Sequence, residues 1–237
     1  MDKLHIGQHI SRQYNEELED IRTRVLNMGG LVEQQLNDAL RALTELDESL
    51  AETVISSDYK VNALEVAIDE ECTQILARRQ PAASDLRLVI AVIKTITDLE
   101  RIGDEAERIG RMALHIAESK SSAKILMNIG HMGEQVSQML HNALDAFARM
   151  DTSAAIAAAH QDKKVDQEYE RIMRELMTYM MEDPRSIPRV LDVMWSARSL
   201  ERIGDRARNI CEYVIYLVLG RDVRHTSLDA VEDETRS

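Results

Sequence analysis

Two stretches, LERIGDEAERI at Leu99–Ile109 and LERIGDRARNI at Leu200–Ile210, each set a glutamate four residues before an aspartate. On a helix, Glu100 with Asp104 and Glu201 with Asp205 share one face, where like charges repel by about a few tenths of a kcal/mol per pair. A second set of acids has the same spacing. Asp58, Asn62, Glu65 and Asp69 run at helical intervals, as do Asp162, Asp166 and Glu170. Either run, laid opposite its glutamate–aspartate pair, gathers four or more oxygen donors. Crowded carboxylates of this kind suit hard cations such as Mg²⁺, Mn²⁺, Ca²⁺ or iron. Two plainer readings stay open. The acids can form a solvated face, or pair along the helix with Arg101 and Arg108.

The elements that carry these residues come from a duplication. Ala39–Asp47 (ALRALTELD) matches Ala143–Asp151 (ALDAFARMD) at an offset of 104 residues, and Met28, Val32 and Leu36 fall on Met132, Val136 and Leu140. The LERIGD stretches are 101 residues apart, so the second copy is three residues shorter in one connection. Matched apolar positions over roughly a hundred residues mark an internal repeat. Each copy reads as three helices, at 8–46, 49–79 and 82–118, then 122–149, 152–181 and 187–219. The expected fold is all-α, two tandem three-helix bundles. The first spans 1–119, the second 120–220, and a polar tail occupies 221–237. Pro81, Pro184 and Pro188 fall where helices start and are tolerated there. Asp47, Asp151 and Asp183 stand at breaks, where a short acceptor caps free amides.

On a helical wheel, Val89, Val92, Leu99, Gly103 and Ala106 define a buried stripe, with Glu100 and Asp104 on its flank. Gly103 and Gly204, repeated in mid-helix at about 1 kcal/mol each against alanine, make room for a close neighbour.

Composition limits the function. The 237 residues hold 42 acidic side chains against 29 lysines and arginines, a formal charge of −13. Nucleic-acid binding needs the opposite sign. Aromatics make up 3% and there are only 9 glycines, which disfavours strand-rich folds. Cys72 and Cys211 lack metal or redox spacing and read as buried apolar side chains. The opening residues lack the apolar core of a secretory leader, and no run reaches the roughly 18 apolar residues of a membrane span; a cytoplasmic protein is expected. No Glu-x-x-His, Walker A or Gly-x-Ser-x-Gly motif is present, and no catalytic constellation emerges. ARRQPAASDLR at Ala77–Arg87 joins two arginines to a helix start, an anion site or simply a capped terminus.

RQPAASDLRLVI leading into LERIGDEAERI, and DKKVDQEYE leading into LERIGDRARNI, resemble the PhoU family of phosphate-specific transport accessory proteins, from about Ile6 to Gly220. The resemblance implies a non-enzymatic, cytoplasmic regulator, usually a homodimer, that represses the phosphate-starvation response when phosphate is plentiful. Its implied partners are a PhoR-type sensor histidine kinase and the PstB-type ATPase of a phosphate ABC transporter. The family's metal-holding motifs, two acids four residues apart, map onto Glu100/Asp104, Glu201/Asp205 and Asp162/Asp166. The fourth instance departs, with Asn62 following Asp58. Two other functions compete. One is a metal-binding protein or metal store built on these sites, and the other is a plain helical scaffold.

Overall fold

The computed structural model describes residues 12–81, 83–118 and 123–223, with 226, 230 and 232. The start expected at residue 8 for the first helix and most of the tail lie outside this range. Among the described residues the chain is all-α and has six rods, three per copy. In the first copy these are α1 (Arg12–Glu45), a middle rod of α2 (Glu48–Ser57) and α3 (Tyr59–Arg79), and α4 (Ala83–Glu118). The second copy has α5 (Ala123–Arg149), a middle rod of α6 (Thr152–Ala159) and α7 (Asp162–Glu182), and α8 (Ile187–Leu219) after a 3₁₀ turn at Pro184–Ser186.

The middle rods are not the unbroken helices that periodicity suggests. Each is interrupted near the same place in the repeat, at Asp58 in the first copy and at His160–Gln161, just before its counterpart Asp162, in the second. There the chain tightens: Val61 N–H donates to the Asp58 carbonyl at 2.9 Å and Lys164 N–H to that of Gln161 at 2.9 Å. Apolar spacing is indifferent to such a change, because both halves stay on one rod.

The expected caps form. Asp47 accepts from Leu50 N–H and Asp151 from Ala154 N–H, both at 3.0 Å, and Asp183 accepts from Arg185 N–H at 3.1 Å. Just before the first two caps, Leu46 and Met150 take positive φ angles of 57° and 52°. These left-handed residues end α1 and α5 and let Asp47 and Asp151 N–H close back onto Ala42 and Ala146 carbonyls.

Packing joins the copies into one core. α1 and α4 of the first copy meet α5 and α8 of the second, so these four long helices form a closed ring. The middle rods flank it on opposite sides, α2 and α3 against α1 and α4, and α6 and α7 against α5 and α8. A local two-fold relates the halves. Across α4 and α8, position 98 faces 206 and position 105 faces 199; these are equivalent positions exchanged. The two LERIGD stretches therefore cross at the pseudo-axis.

Across α1 and α5 the same symmetry appears in steric form. Gly29 lies under Leu144 and its counterpart Gly133 under Leu40. A Cβ at Gly29 would stand 2.8 Å from Leu144 Cδ2, and one at Gly133 would stand 2.9 Å from Leu40 Cδ1. Leucine knobs seated on bare backbone bring these two helices together. Among the described residues no helix is long and apolar enough to cross a membrane.

Candidate functional site

The six letters of LERIGD divide between three tasks. Leu99, Ile102, Leu200 and Ile203 are fully enclosed in the shared core. The arginines serve the seam between copies: Arg202 reaches Glu105 at 2.9 Å, and Arg101 approaches Asp98 at 4.0 Å. The glycines face the interruption in the middle rod. A Cβ on Gly103 would lie 3.2 Å from Gln35 Oε1 and 3.3 Å from Asp58 Oδ1, while one on Gly204 would lie 3.2 Å from Val165. The glutamate and aspartate flank that notch, Glu100 and Glu201 half-buried, Asp104 and Asp205 more exposed.

The fold thus brings each predicted pair beside the middle rod of its own copy. Burial first, and then neighbouring carboxylates, raise the proton affinity of these acids: Asp58 acts on Asp104, and Asp104, Glu65 and Asp58 act on Glu100. Asp166 does the same to Asp205 and Glu201. Asp58 and Asp162 are the deepest members, 8% and 5% exposed. Asn62 sits one turn beyond Asp58 and donates to its carboxylate at 3.0 Å. Gln35 of α1 donates to the other oxygen at 2.9 Å. Gln35 is 6% exposed, and its Oε1, like Asn62 Oδ1, is buried without a donor.

The second cluster differs. Arg208 donates to Asp162 at 3.1 Å, and Arg198 to Glu201 at 2.5 Å while lying over the Tyr169 ring. Glu201 Oε2 is buried without a donor. Arg108, a candidate partner for Asp104, instead approaches Glu105 at 3.3 Å. Among the described residues no three acidic, histidine or cysteine side chains already surround one point at which an ion would sit. The first cluster fits a hard cation through its donor chemistry: the orphaned amide oxygens of Gln35 and Asn62 join the Asp58 carboxylate, and Glu100 and Asp104 lie on the adjoining face.

Gln35, Arg198 and Arg208 escape a search for acidic spacing. Comparing the copies exposes the arginines, since Arg208 replaces Glu107 and Arg198 replaces Thr97. The seam network was equally hidden. Asp98, 2% exposed, accepts from Tyr213 at 2.8 Å and from Asn209 at 3.3 Å, with Arg206 at 3.5 Å. At the Ala77–Arg87 stretch, Arg79 is bound to Glu17 at 2.6 Å, and Asp85 accepts from Tyr14 at 3.4 Å. Arg79 is therefore occupied structurally. Cys72 and Cys211 are buried thiols held up to about 12 by desolvation.

A model of the PhoU domain matches residues 25–118 and 129–214, one match in each copy. The chain belongs to the PhoU family. Among its PhoU relatives, the phosphate-specific transport system accessory protein PhoU of Escherichia coli is 55% identical over 232 residues, covering 98% of this chain and 96% of that protein. The PhoU homolog of Pseudomonas aeruginosa is 54% identical over 237 residues, covering 100% and 98%. The crystal structure of PhoU from that organism superposes with a TM-score of 0.86 at 56% identity, over 88% of this chain and 100% of its own. A Streptococcus pneumoniae PhoU described as a phosphate transport system regulatory protein gives 0.82 at 34% identity, over 89% and 99%. These names describe accessory and regulatory proteins of a transport system.

The acidic clusters set a pH dependence. Burial, followed by neighbouring carboxylates, raises the proton affinities of Glu100, Asp104, Glu201 and Asp205; for Asp98 burial alone does so against its donors. A carboxyl raised in the fold stabilises it fully below its ordinary value near about pH 4, and that contribution is lost as pH climbs through the raised value. Glu17 and Glu168, lowered by Arg79 and Arg171 hydrogen bonds, act oppositely: their contribution is present above the ordinary value and lost as pH falls through the lowered one. Without divalent cations, Tm should therefore be higher near about pH 5 than near about pH 7.5, at roughly 2–4 °C per kcal/mol for a chain of this size. Calorimetry in chelator at fixed ionic strength checks it, and a Tm that falls steadily from neutral to mildly acid pH contradicts it.

Proposed function

We propose that this chain is a cytoplasmic regulatory adaptor that represses the phosphate-starvation response when phosphate is plentiful. It couples a high-affinity phosphate ABC transporter, through the transporter's ATPase subunit, to a PhoR-type sensor histidine kinase, and modulates uptake. The observation that carries this reading is identity above one half, nearly end to end, with phosphate-specific transport system accessory proteins. The charge of −13 agrees with it, since an acidic surface is steered toward basic faces of membrane-proximal partners. The adaptor acts by binding rather than by catalysis, as a homodimer.

Affinity capture from phosphate-replete membranes tests the partners. The tagged full chain should bring down the sensor kinase or the transporter ATPase. Recovery of neither, from membranes in which both are detected, contradicts the adaptor.

A second property accompanies the first. The first acidic cluster is a cation site for Mg²⁺, Mn²⁺ or iron, a reading favoured by the buried, donorless Oε1 of Gln35 beside Asp58. Asp58, Asn62, Glu100 and Asp104 would hold one such ion, and Asp162, Asp166, Glu201 and Asp205 are their counterparts.

A further inference from the structure

The two clusters occupy equivalent places in the repeat but are not electrostatically equivalent. In the first, Asp58 is held by neutral amides only, Gln35 and Asn62. Among the described residues no cationic side chain bonds to Asp58, Glu100 or Asp104. In the second, Asp166 stands where Asn62 is, and Met139 where Gln35 is, so both amide donors are missing. Two guanidiniums take their place. Arg208, at the position of Glu107, bonds to Asp162 Oδ2 at 3.1 Å, and its Nε lies 3.3 Å from Glu212. Arg198, at the position of Thr97, bonds to Glu201 Oε1 at 2.5 Å. Planar guanidinium groups match carboxylates well and remain charged at all ordinary pH values.

We infer that Arg198 and Arg208 are the resident cations of the second cluster, so that the chain takes a divalent cation at the first cluster alone. The inference rests on the cation reading above and adds a stoichiometry and a cause. In the first cluster, buried amide oxygens complete an oxygen-rich set to which no cationic side chain is bonded among the described residues. In the second, positive charges are already bonded to Asp162 and to one oxygen of Glu201, and an incoming ion would have to displace them against like-charge repulsion. The donorless Oε2 of Glu201 leaves that cluster with ligand capacity that the arginines hold in check.

The test is Mn²⁺ binding by titration calorimetry on the full chain, with circular dichroism as the folding control. Wild type should bind one Mn²⁺ per chain, weakened at least about tenfold by E100Q/D104N and unchanged by E201Q/D205N. R198T/R208E, which removes both guanidiniums from the second cluster, should bind two. Should that variant fail to fold, the reciprocal T97R/E107R carries the test, and it should weaken the wild-type site at least about tenfold. Two equivalent sites in wild type, or a single site lost in E201Q/D205N, overturns the inference. If wild type binds none while R198T/R208E binds one, the arginine assignment stands and the cation reading of the first cluster falls. If no variant binds Mn²⁺, both fall.

Discussion

Replacing Ile102 or Ile203 with alanine should each lower the unfolding free energy by about 2–5 kcal/mol, with the urea m-value unchanged. Both side chains are fully enclosed, and both lie at the crossing of α4 and α8, where four ring helices confine them and little can move in to fill the space. The neighbouring letter of the motif should behave oppositely. Glu100 is half-buried beside Asp104, Glu65 and Asp58 with no cationic side chain bonded to it, so Glu100→Gln removes repulsion and should leave stability unchanged or slightly higher in chelator. The contrast separates the isoleucines, which build the core, from the acids, which do not. Urea unfolding of the three variants measures it. An Ile102→Ala loss under about 1 kcal/mol contradicts a closed four-helix core at this point.

The second large effect lies about one turn away from Ile102, at Asp98. Asp98→Ala strands the Tyr213 hydroxyl, the Asn209 amide and the Arg206 guanidinium that now converge on the carboxylate. Asp98 is buried while these donors are partly buried, and stranding such donors costs about 1–3 kcal/mol, more where a charge is involved. Arg206 is about one-third exposed and can turn to water, which places the expected loss at about 2–3 kcal/mol. Glu105, the two-fold counterpart of Arg206, holds Ser199 at 2.7 Å and Arg202 at 2.9 Å. Its carboxylate is less deeply buried, 12% exposed against 3% for Asp98, so Glu105→Ala should cost about 1 kcal/mol. The order is the test. If Glu105→Ala proves the costlier of the two in urea unfolding, the Asp98 cluster is not what locks the copies together.

Much of this architecture is legible in the sequence, because repeats, caps and apolar stripes are local signals. The duplication, the six rods, the aspartate caps and the burial of Leu99 follow from spacing alone, whereas Ile102 falls outside the predicted apolar stripe and is buried all the same. Two features do not. The pairing of α4 with α8 joins residues about a hundred positions apart, and periodicity names a buried face without naming what covers it. Asp98 and Glu105 thus read as ordinary surface acids until their partners are seen. The interruption at Asp58 is hidden because a tightened turn keeps the rod's direction and its apolar side. The acidic pairs were visible from their spacing, whereas the arginines that distinguish the copies required laying one repeat on the other. Glu107 against Arg208 is one of three differences between the two eleven-residue stretches, and it reverses the charge beside Asp162.

The central claim is regulatory, and expression in cells lacking the chain tests it most directly. A reporter driven by a phosphate-starvation promoter is measured in phosphate-rich medium, in a deletion strain and in the same strain carrying the gene on a plasmid. The account predicts that the reporter switches on in the deletion strain and is silenced again by the plasmid-borne gene. A reporter that stays silent without the chain would contradict it.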